Sequence, residues 1–409
     1  MRKLLWLIFL FIFSLSGLAC ASSKKTVPAP KPEVTLGIER IHEYKELLAG
    51  KRLGLITNAT GVDKNFKSSV AILKEQYNLV AIFTPEHGFL GQIAADVRTA
   101  NSYSAEFQLP IYSLYGATRK PSKEMLDNVD VLIFDIQDVG ARHYTYISTM
   151  ALAMQAAKEH NKLFVVLDRP NPLGGAVQGP TLKPGNESFV GLYPLPLRHG
   201  MTVGELAQLF NKEYGIGAQL HVIPMLGWSR NMYMSDTGLP WIQTSPNIPT
   251  ALTALVYPAA GMSGSSKASD GVGTTQPFEF VGMPGINAYE LARTMNAKAL
   301  EGVYFRPISF IPKFGKLANK ECAGVQLHIT DKHKFNPAKT GAILVKELEK
   351  LYTGTEFWES WGGSVKSIDA HLGEDSLRTN AEPLEAIFKR WEQESMAFQK
   401  LSRKYYLYK

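Results

Sequence analysis

Val129-Asp130-Val131-Leu132-Ile133-Phe134-Asp135-Ile136-Gln137-Asp138-Val139-Gly140-Ala141-Arg142 is the stretch on which the fold turns. Val131 to Phe134 is an unbroken apolar run. Strands buried on both faces read this way, and such strands belong to parallel sheets. Asp135, Gln137, Asp138 and Arg142 then fall at or just beyond the strand's C-terminal end. In open α/β sheets that edge is where ligands bind.

The same grammar recurs on either side. Lys51 to Thr57 reads as a strand ending at Asn58, and Leu79 to Phe83 as a strand ending at Thr84-Pro85-Glu86-His87-Gly88. Leu109 to Leu114 and Gln219 to Pro224 are further strands. Leu163 to Leu167 ends at Asp168-Arg169-Pro170-Asn171-Pro172. Helical spacing marks Asn65 to Tyr77 (Phe66, Val70, Leu73, Tyr77) and Thr145 to His160. Thr202-Val203-Gly204-Glu205 is a capping box opening a helix. Strands alternating with helices predict βαβ units, an α/β fold with a mainly parallel sheet covered on both faces.

The texture changes near Trp241 to Thr250, where Pro240, Pro246 and Pro249 punctuate a loop. Gly261 to Thr275 is rich in Gly and Ser and reads as a connection or a lid. Beyond it lie two strands (306–312, 324–330) and two helices (340–351, 384–401), a smaller α+β domain. The division is a signal segment at 1–20, a tether at 21–35, a catalytic domain at 36–245 and a smaller domain at 246–409 that completes the cleft.

Arg2-Lys3, the apolar run Leu4 to Phe13 and the small residues to Ala21 form an export signal. Gly17-Leu18-Ala19-Cys20 fits lipidation of Cys20, whereas Ala19-Cys20-Ala21 fits simple secretion. Lipidation is favoured because Cys20 otherwise has no role. The chain is therefore expected outside the cytoplasm, in the periplasm or at the cell surface, held to the membrane by that lipid. Cys322, the other of 2 cysteines, reads as a buried hydrophobe. The net charge of +7 is spread out, with no basic stripe interleaved with aromatics, so no nucleic-acid partner is expected.

Three strand ends carry carboxylates: Glu86, the pair Asp135 and Asp138, and Asp168. On parallel strands all would open on one edge of the sheet, joined by Asn58, His87, Gln137, Arg142, Arg169 and Asn171. Crowded carboxylates separate a general acid from a base or nucleophile, the need of glycoside hydrolysis. Arg142 and Arg169 suit a two-pronged grip on a substrate carboxylate. Each has a plainer alternative: an Asp at a strand end caps helices, and an Arg beside it forms an ion pair. His87, His143 and His199 lack metal-ligand spacing, so no metal is expected. Gly-x-Gly-x-x-Gly, the phosphate loop and the Gly-x-Ser-x-Gly elbow are absent, and no cofactor is expected. Trp241 and the Ser245 to Thr250 loop offer a sugar-stacking face and an amide donor.

At these residues the chain resembles the exo-β-N-acetylmuramidases of the NamZ type. The resemblance rests on Gly54-Leu55-Ile56-Thr57-Asn58, Thr84-Pro85-Glu86-His87-Gly88, the run from Phe134 to Met150, Asp168 to Gly175, Arg198-His199-Gly200-Met201-Thr202 and Ser245-Pro246-Asn247-Ile248-Pro249-Thr250. It implies a Rossmann-like N-terminal domain with a smaller C-terminal one. It also implies release of N-acetylmuramic acid from the non-reducing end of peptidoglycan fragments, with Glu86 as general acid. The expected catalytic set is Glu86, His87, Asp135, Asp138 and Asp168. Substrate contacts are expected from Asn58, Gln137, Arg142, Tyr144, Arg169, Asn171, Asn247, Asp270 and Glu279. The chain departs from the family at Leu90 to Asp96 and in the lid, where Asp270 and Val272 replace a Glu and an Arg. The alternative reading is a surface lipoprotein that binds cell-wall sugars without cleaving them.

Overall fold

Every residue of Val131–Asp135 is buried, and the strand sits near the middle of a seven-stranded sheet. The computed structural model describes residues 33–361 and 365–409. The export signal, Cys20 and most of the tether lie outside the described residues. The tether ends earlier than expected: Val34 is fully buried and Thr35 pairs with Leu226.

The strands are β1 (Arg52–Thr57), β2 (Asn78–Thr84), β3 (Ser102–Ser104), β4 (Leu109–Ser113), β5 (Val131–Asp135) and β6 (Leu163–Leu167). A short hairpin follows, β7 (Gln178–Thr181) and β8 (Pro196–Arg198), and then β9 (Gln219–Ile223). The sheet order is β3-β4-β2-β1-β5-β6-β9, parallel except for β3 on β4 at one edge. From β1 and β5 the order runs outward both ways, a doubly wound sheet whose direction reverses between those two strands.

The helices are α1 (Ser69–Gln76), α2 (Lys123–Leu126), α3 (Tyr146–Glu159), α4 (Val203–Lys212), α5 (Ala251–Gly264), α6 (Ala288–Ala297), α7 (Pro337–Leu351), α8 (Ser367–Leu372), α9 (Ser376–Thr379) and α10 (Leu384–Ser402). Alternation along the strands builds a core on each face of the sheet. Val131, Ile133, Val165 and Leu167 pack into one core with Ile38 and Leu73. Leu132, Phe134, Phe164 and Val166 pack into the other with Met150 and Leu206. That second core continues without a seam into Val281, Phe305, Val325 and Leu344 of the C-terminal half. There β10 (Phe280–Met283), β11 (Val303–Phe310) and β12 (Cys322–Ile329) form an antiparallel sheet in the order β10-β12-β11.

Two elements differ from expectation. α1 begins at Ser69 rather than Asn65. Ser68 caps it through Ala71 N, and Phe66 sits in a turn with φ 67°, exposed to solvent. The Gly/Ser segment is not a free lid. Gly261–Gly264 is the end of α5, and Ser269 pairs with Gly282 of β10 through two backbone hydrogen bonds. Alanine-rich packing outweighs the glycines there, since Ala254, Ala259 and Ala260 are all fully buried.

Candidate active site

Three adjacent strands, β2, β1 and β5, deliver Glu86, Asn58 and Asp138 to one edge of the sheet. Parallel strands lie roughly 5 Å apart, so the backbones of the outer two stand about 10 Å apart with Asn58 between them.

Glu86 is buried just past β2. Its Oε1 accepts from Asp96 N at 3.0 Å and its Oε2 from Thr145 Oγ1 at 2.7 Å. Thr145 holds the N-cap position of α3 yet makes no side-chain cap, because its hydroxyl is directed to Glu86 instead. The Asp96 contact comes from the backbone, so the departure from the family at Leu90 to Asp96 preserves it. His87 lies in the left-handed region (φ 71°), and its Nδ1 meets Ile93 O at 2.7 Å. Strained backbone of this kind is held only where the surroundings enforce it. His87 therefore shapes the loop that carries Glu86.

Asp138 accepts from Gly140 N through Oδ2 at 2.7 Å, and its Oδ1 is buried without a partner. Gly140 has φ 82°, and a side chain there would run into Asn171. Asn58 accepts from Thr60 N and Thr60 Oγ1, leaving its Nδ2 donor buried and unpaired.

An aromatic wall faces these groups. Tyr144 donates to Thr244 Oγ1 at 3.0 Å, and Tyr146 donates to the Thr244 carbonyl. Tyr257 of α5 lies 5.8 Å from the Tyr144 ring and 4.8 Å from Phe278. Burial holds the Tyr146 and Tyr257 phenols well above their usual range, and the charges of Glu86 and Asp138 act on both in the same direction. Against Tyr257, His143 packs on His371 with ring centroids 3.8 Å apart and planes tilted by 42°. Burial pulls His143 well below its ordinary value and His371 down to about 3, so both rings are neutral.

Other expected site groups are committed elsewhere. Asp135 is fully buried in an ion pair with Arg169 (2.6 and 2.9 Å) and accepts from Ser69 Oγ. Arg169 also reaches Val62 O, and a cavity lined by Thr60, Val62, Gln137 and Arg169 lies beside the pair at this edge of the sheet. Asp168 caps α4: Gly204 N, Thr202 Oγ1, Arg169 N and Tyr408 OH all donate to it. Arg142 donates to the carbonyls of Pro180, Leu195 and His371, tying the β7–β8 hairpin to α8 rather than gripping a substrate. Gln137 donates to Asp138 O and Pro170 O, and Asn171 donates to Met201 O. Glu279 accepts from Thr253 Oγ1 at 2.9 Å on α5. Trp241 bonds Ile248 O within its own loop, with Asn247 half-buried beside it. Asp270 holds the turn at Val272 N, and its charge acts on Tyr257. Cys322 is fully buried, and burial pushes its thiol up to about 11. Among the described residues no group of three or more His, Cys, Asp or Glu is placed to hold a metal ion.

Thr145, Tyr146, Thr244 and Tyr257 were not legible as site residues. Only the quoted run from Phe134 to Met150 hinted at the first two, and nothing in residue type or spacing marks Thr244 or Tyr257.

Crowded carboxylates beside tyrosines suit glycoside hydrolysis, and the family matches show that class of enzyme. The chain belongs to the NamZ family. Its residues 53–252 match the family description "Exo-beta-N-acetylmuramidase NamZ, N-terminal" and residues 255–408 match the C-terminal counterpart. It is 46% identical, over the whole of both chains, to the peptidoglycan β-N-acetylmuramidase NamZ of Bacillus subtilis (strain 168). Crystal structures of two DUF1343 family proteins from Bacteroides fragilis NCTC 9343 share the fold. One has TM-score 0.85 at 39% identity and covers 93% of this chain and 100% of its own. The other has TM-score 0.76 at 30% identity and covers 92% and 99%. These relationships favour hydrolysis over the sugar-binding alternative.

Proposed function

We propose that this protein releases N-acetylmuramic acid from the non-reducing end of peptidoglycan fragments, with Glu86 as general acid. The observation that carries the reading is the convergence of Glu86, the free Asn58 Nδ2 and the free Asp138 Oδ1 on three neighbouring strand ends. A glycosidic oxygen needs a proton as its bond breaks, and we assign that to Glu86, which is in no ion pair and accepts from Asp96 N and Thr145 Oγ1. Asn58 Nδ2 is a donor for a sugar oxygen, and Asp138 Oδ1 an acceptor. Asp135 and Asp168 hold the scaffold instead. Tyr257, the half-buried member of the tyrosine cluster, is the ring able to offer a sugar an apolar face.

The test is hydrolysis of a β-linked N-acetylmuramyl–N-acetylglucosamine disaccharide, followed by product analysis. Wild type should release N-acetylmuramic acid, and Glu86→Gln should lose on the order of a hundred- to ten-thousandfold in kcat. No release by wild type, or unchanged release by Glu86→Gln, overturns the reading. In the same reading the protein is exported and held at the membrane by a lipid on Cys20. Mass spectrometry of the mature N-terminus should find that lipid; an unmodified terminus overturns this part.

A further inference from the structure

The cavity beside the Asp135–Arg169 pair is lined by residues just past β1, β5 and β6. Two hydrogen-bonding atoms on its walls are unused. Asp135 and the Val62 carbonyl take Nε and Nη2 of Arg169, which leaves Nη1 with no partner among the described residues. The Gln137 amide is fixed by its nitrogen, which donates to Asp138 O and Pro170 O, so Oε1 is a free acceptor. Both residues line the cavity, and neither atom is sealed from solvent. The half-buried aliphatic side chains of Leu239 and Ile242 complete the walls. The volume, about 20 Å³, suits a small substituent rather than a sugar ring.

Charge narrows the occupant further. Asp135 neutralises Arg169, and Glu33 pairs with Lys64 at 2.8 Å. Asp63 also lines the cavity and has no ion pair among the described residues. The walls therefore hold no surplus positive charge for an anion. A neutral group fits if it accepts from Arg169, donates to Gln137 and lays a methyl on the aliphatic side. A secondary acetamide does all three, whereas a carboxylate has no proton to give and a hydroxyl has no methyl.

We propose that this cavity binds the 2-acetamido group of the sugar whose glycosidic bond is cleaved. Its carbonyl accepts from Arg169 Nη1, its N–H donates to Gln137 Oε1, and its methyl rests on Leu239 and Ile242. This rests on the function proposed above. Thr60 ties the cavity to the site: its Oγ1 donates to Asn58 Oδ1 at 2.6 Å and accepts from Gln137 N at 2.9 Å. Asn58 follows β1, which neighbours β2 and so Glu86, and adjacent strands lie about 5 Å apart. The acetamido group on C2 likewise adjoins C1, the carbon of the bond that breaks. Arg169 is then both a scaffold residue and a specificity-determining contact.

The experiment compares the parent disaccharide with analogues whose terminal acetamido group is replaced by a hydroxyl or lengthened to N-butanoyl. Wild-type kcat/KM should fall at least about a hundredfold on the hydroxyl analogue, because the site's polar atoms lose their partner. It should fall about tenfold or more on the N-butanoyl analogue, which overfills the cavity. Ile242→Ala and Leu239→Ala enlarge the cavity, with unfolding midpoints confirming that they fold. In at least one of them the parent-to-N-butanoyl ratio should shrink to a few-fold. An unchanged ratio in both variants, or a wild type indifferent to the longer acyl chain, overturns the proposal. So does a change in these variants that falls instead on the ratio between free-lactyl and lactyl-methylamide substrates, which would put the lactyl group in the cavity. Turnover of the parent by wild type reports separately on the proposed function. If that turnover is absent, calorimetric binding of N-acetylmuramic and N-butanoylmuramic acid to wild type and both variants gives the same comparison, and binding of neither overturns this proposal too.

Discussion

Thr145 illustrates how a residue is diverted from local to long-range duty. Its position asks for a helix cap, but its hydroxyl is held by Glu86, 59 residues earlier in the chain. A hydrogen bond to a charged group contributes about 1.5–3 kcal/mol. Thr145→Val should therefore lower kcat about ten- to a hundredfold with KM little changed. The variant leaves Glu86 Oε2 buried without that donor, so the unfolding free energy should also fall, by about 1–3 kcal/mol. Steady-state kinetics beside urea unfolding checks both. At this scale the sequence displayed Glu86 and Asp138 but concealed what each carboxyl touches. Asp135 and Asp168 looked equivalent to them, and only their partners, Arg169 in one case and the N-terminus of α4 in the other, set them apart.

Among the elements, β5 and β6 are joined by more than their ladder. Arg169 follows β6 and clamps Asp135 at the end of β5, in a place closed to solvent. Removing one partner of a buried pair leaves an uncompensated charge and costs about 3–5 kcal/mol. Arg169→Met should destabilise by that amount in urea unfolding; a loss below about 1 kcal/mol would show that the pair is not structural. Gly140→Ala tests the turn beyond β5. It combines a positive φ with a collision against Asn171, so it should disturb Asp138 and lower kcat/KM more than it lowers stability. The parallel strands were legible because burial on both faces demands apolar runs. Helix starts were less so: Phe66 matches the apolar period of α1, and only the Ser68 cap ends the ambiguity.

Across the whole molecule, the C-terminus returns to the first sheet. Tyr408 OH donates to Asp168 at 2.5 Å, Leu407 N donates to Glu205, and Arg230 N donates to the Lys409 carbonyl. Burial pushes the Asp168 carboxyl up to about 7, opposed by the Tyr408 hydrogen bond and the Gly204 N–H. A free Asp titrates near 4. The folded state therefore holds a proton that the unfolded state has released between about pH 4 and 7, and this contribution to stability falls as pH rises through that window. Tyr408→Phe removes a donor that favours the ionised form, so the variant should lose more stability at pH 8 than at pH 5. Equal losses at the two values would exclude the linkage. His371, held down to about 3 by burial, acts in the opposite sense: its contribution is lost as pH falls below about 6.5.

The sequence by itself determined the mainly parallel sheet, the edge at which the polar strand ends gather and the carboxyl, Glu86, that we propose as general acid. These follow from local pattern: apolar runs long enough for buried strands, polar residues at their ends, and a glutamate in a motif that resembles a family. Tertiary structure alone decided which ionisable groups remain free for a substrate. That depends on partners far along the chain: Arg169 for Asp135, Tyr408 for Asp168, and the carbonyls of Pro180, Leu195 and His371 for Arg142. Electrostatic and hydrogen-bond pairing is a property of distance in space. Sequence period carries the direction in which a side chain points, not the group it meets.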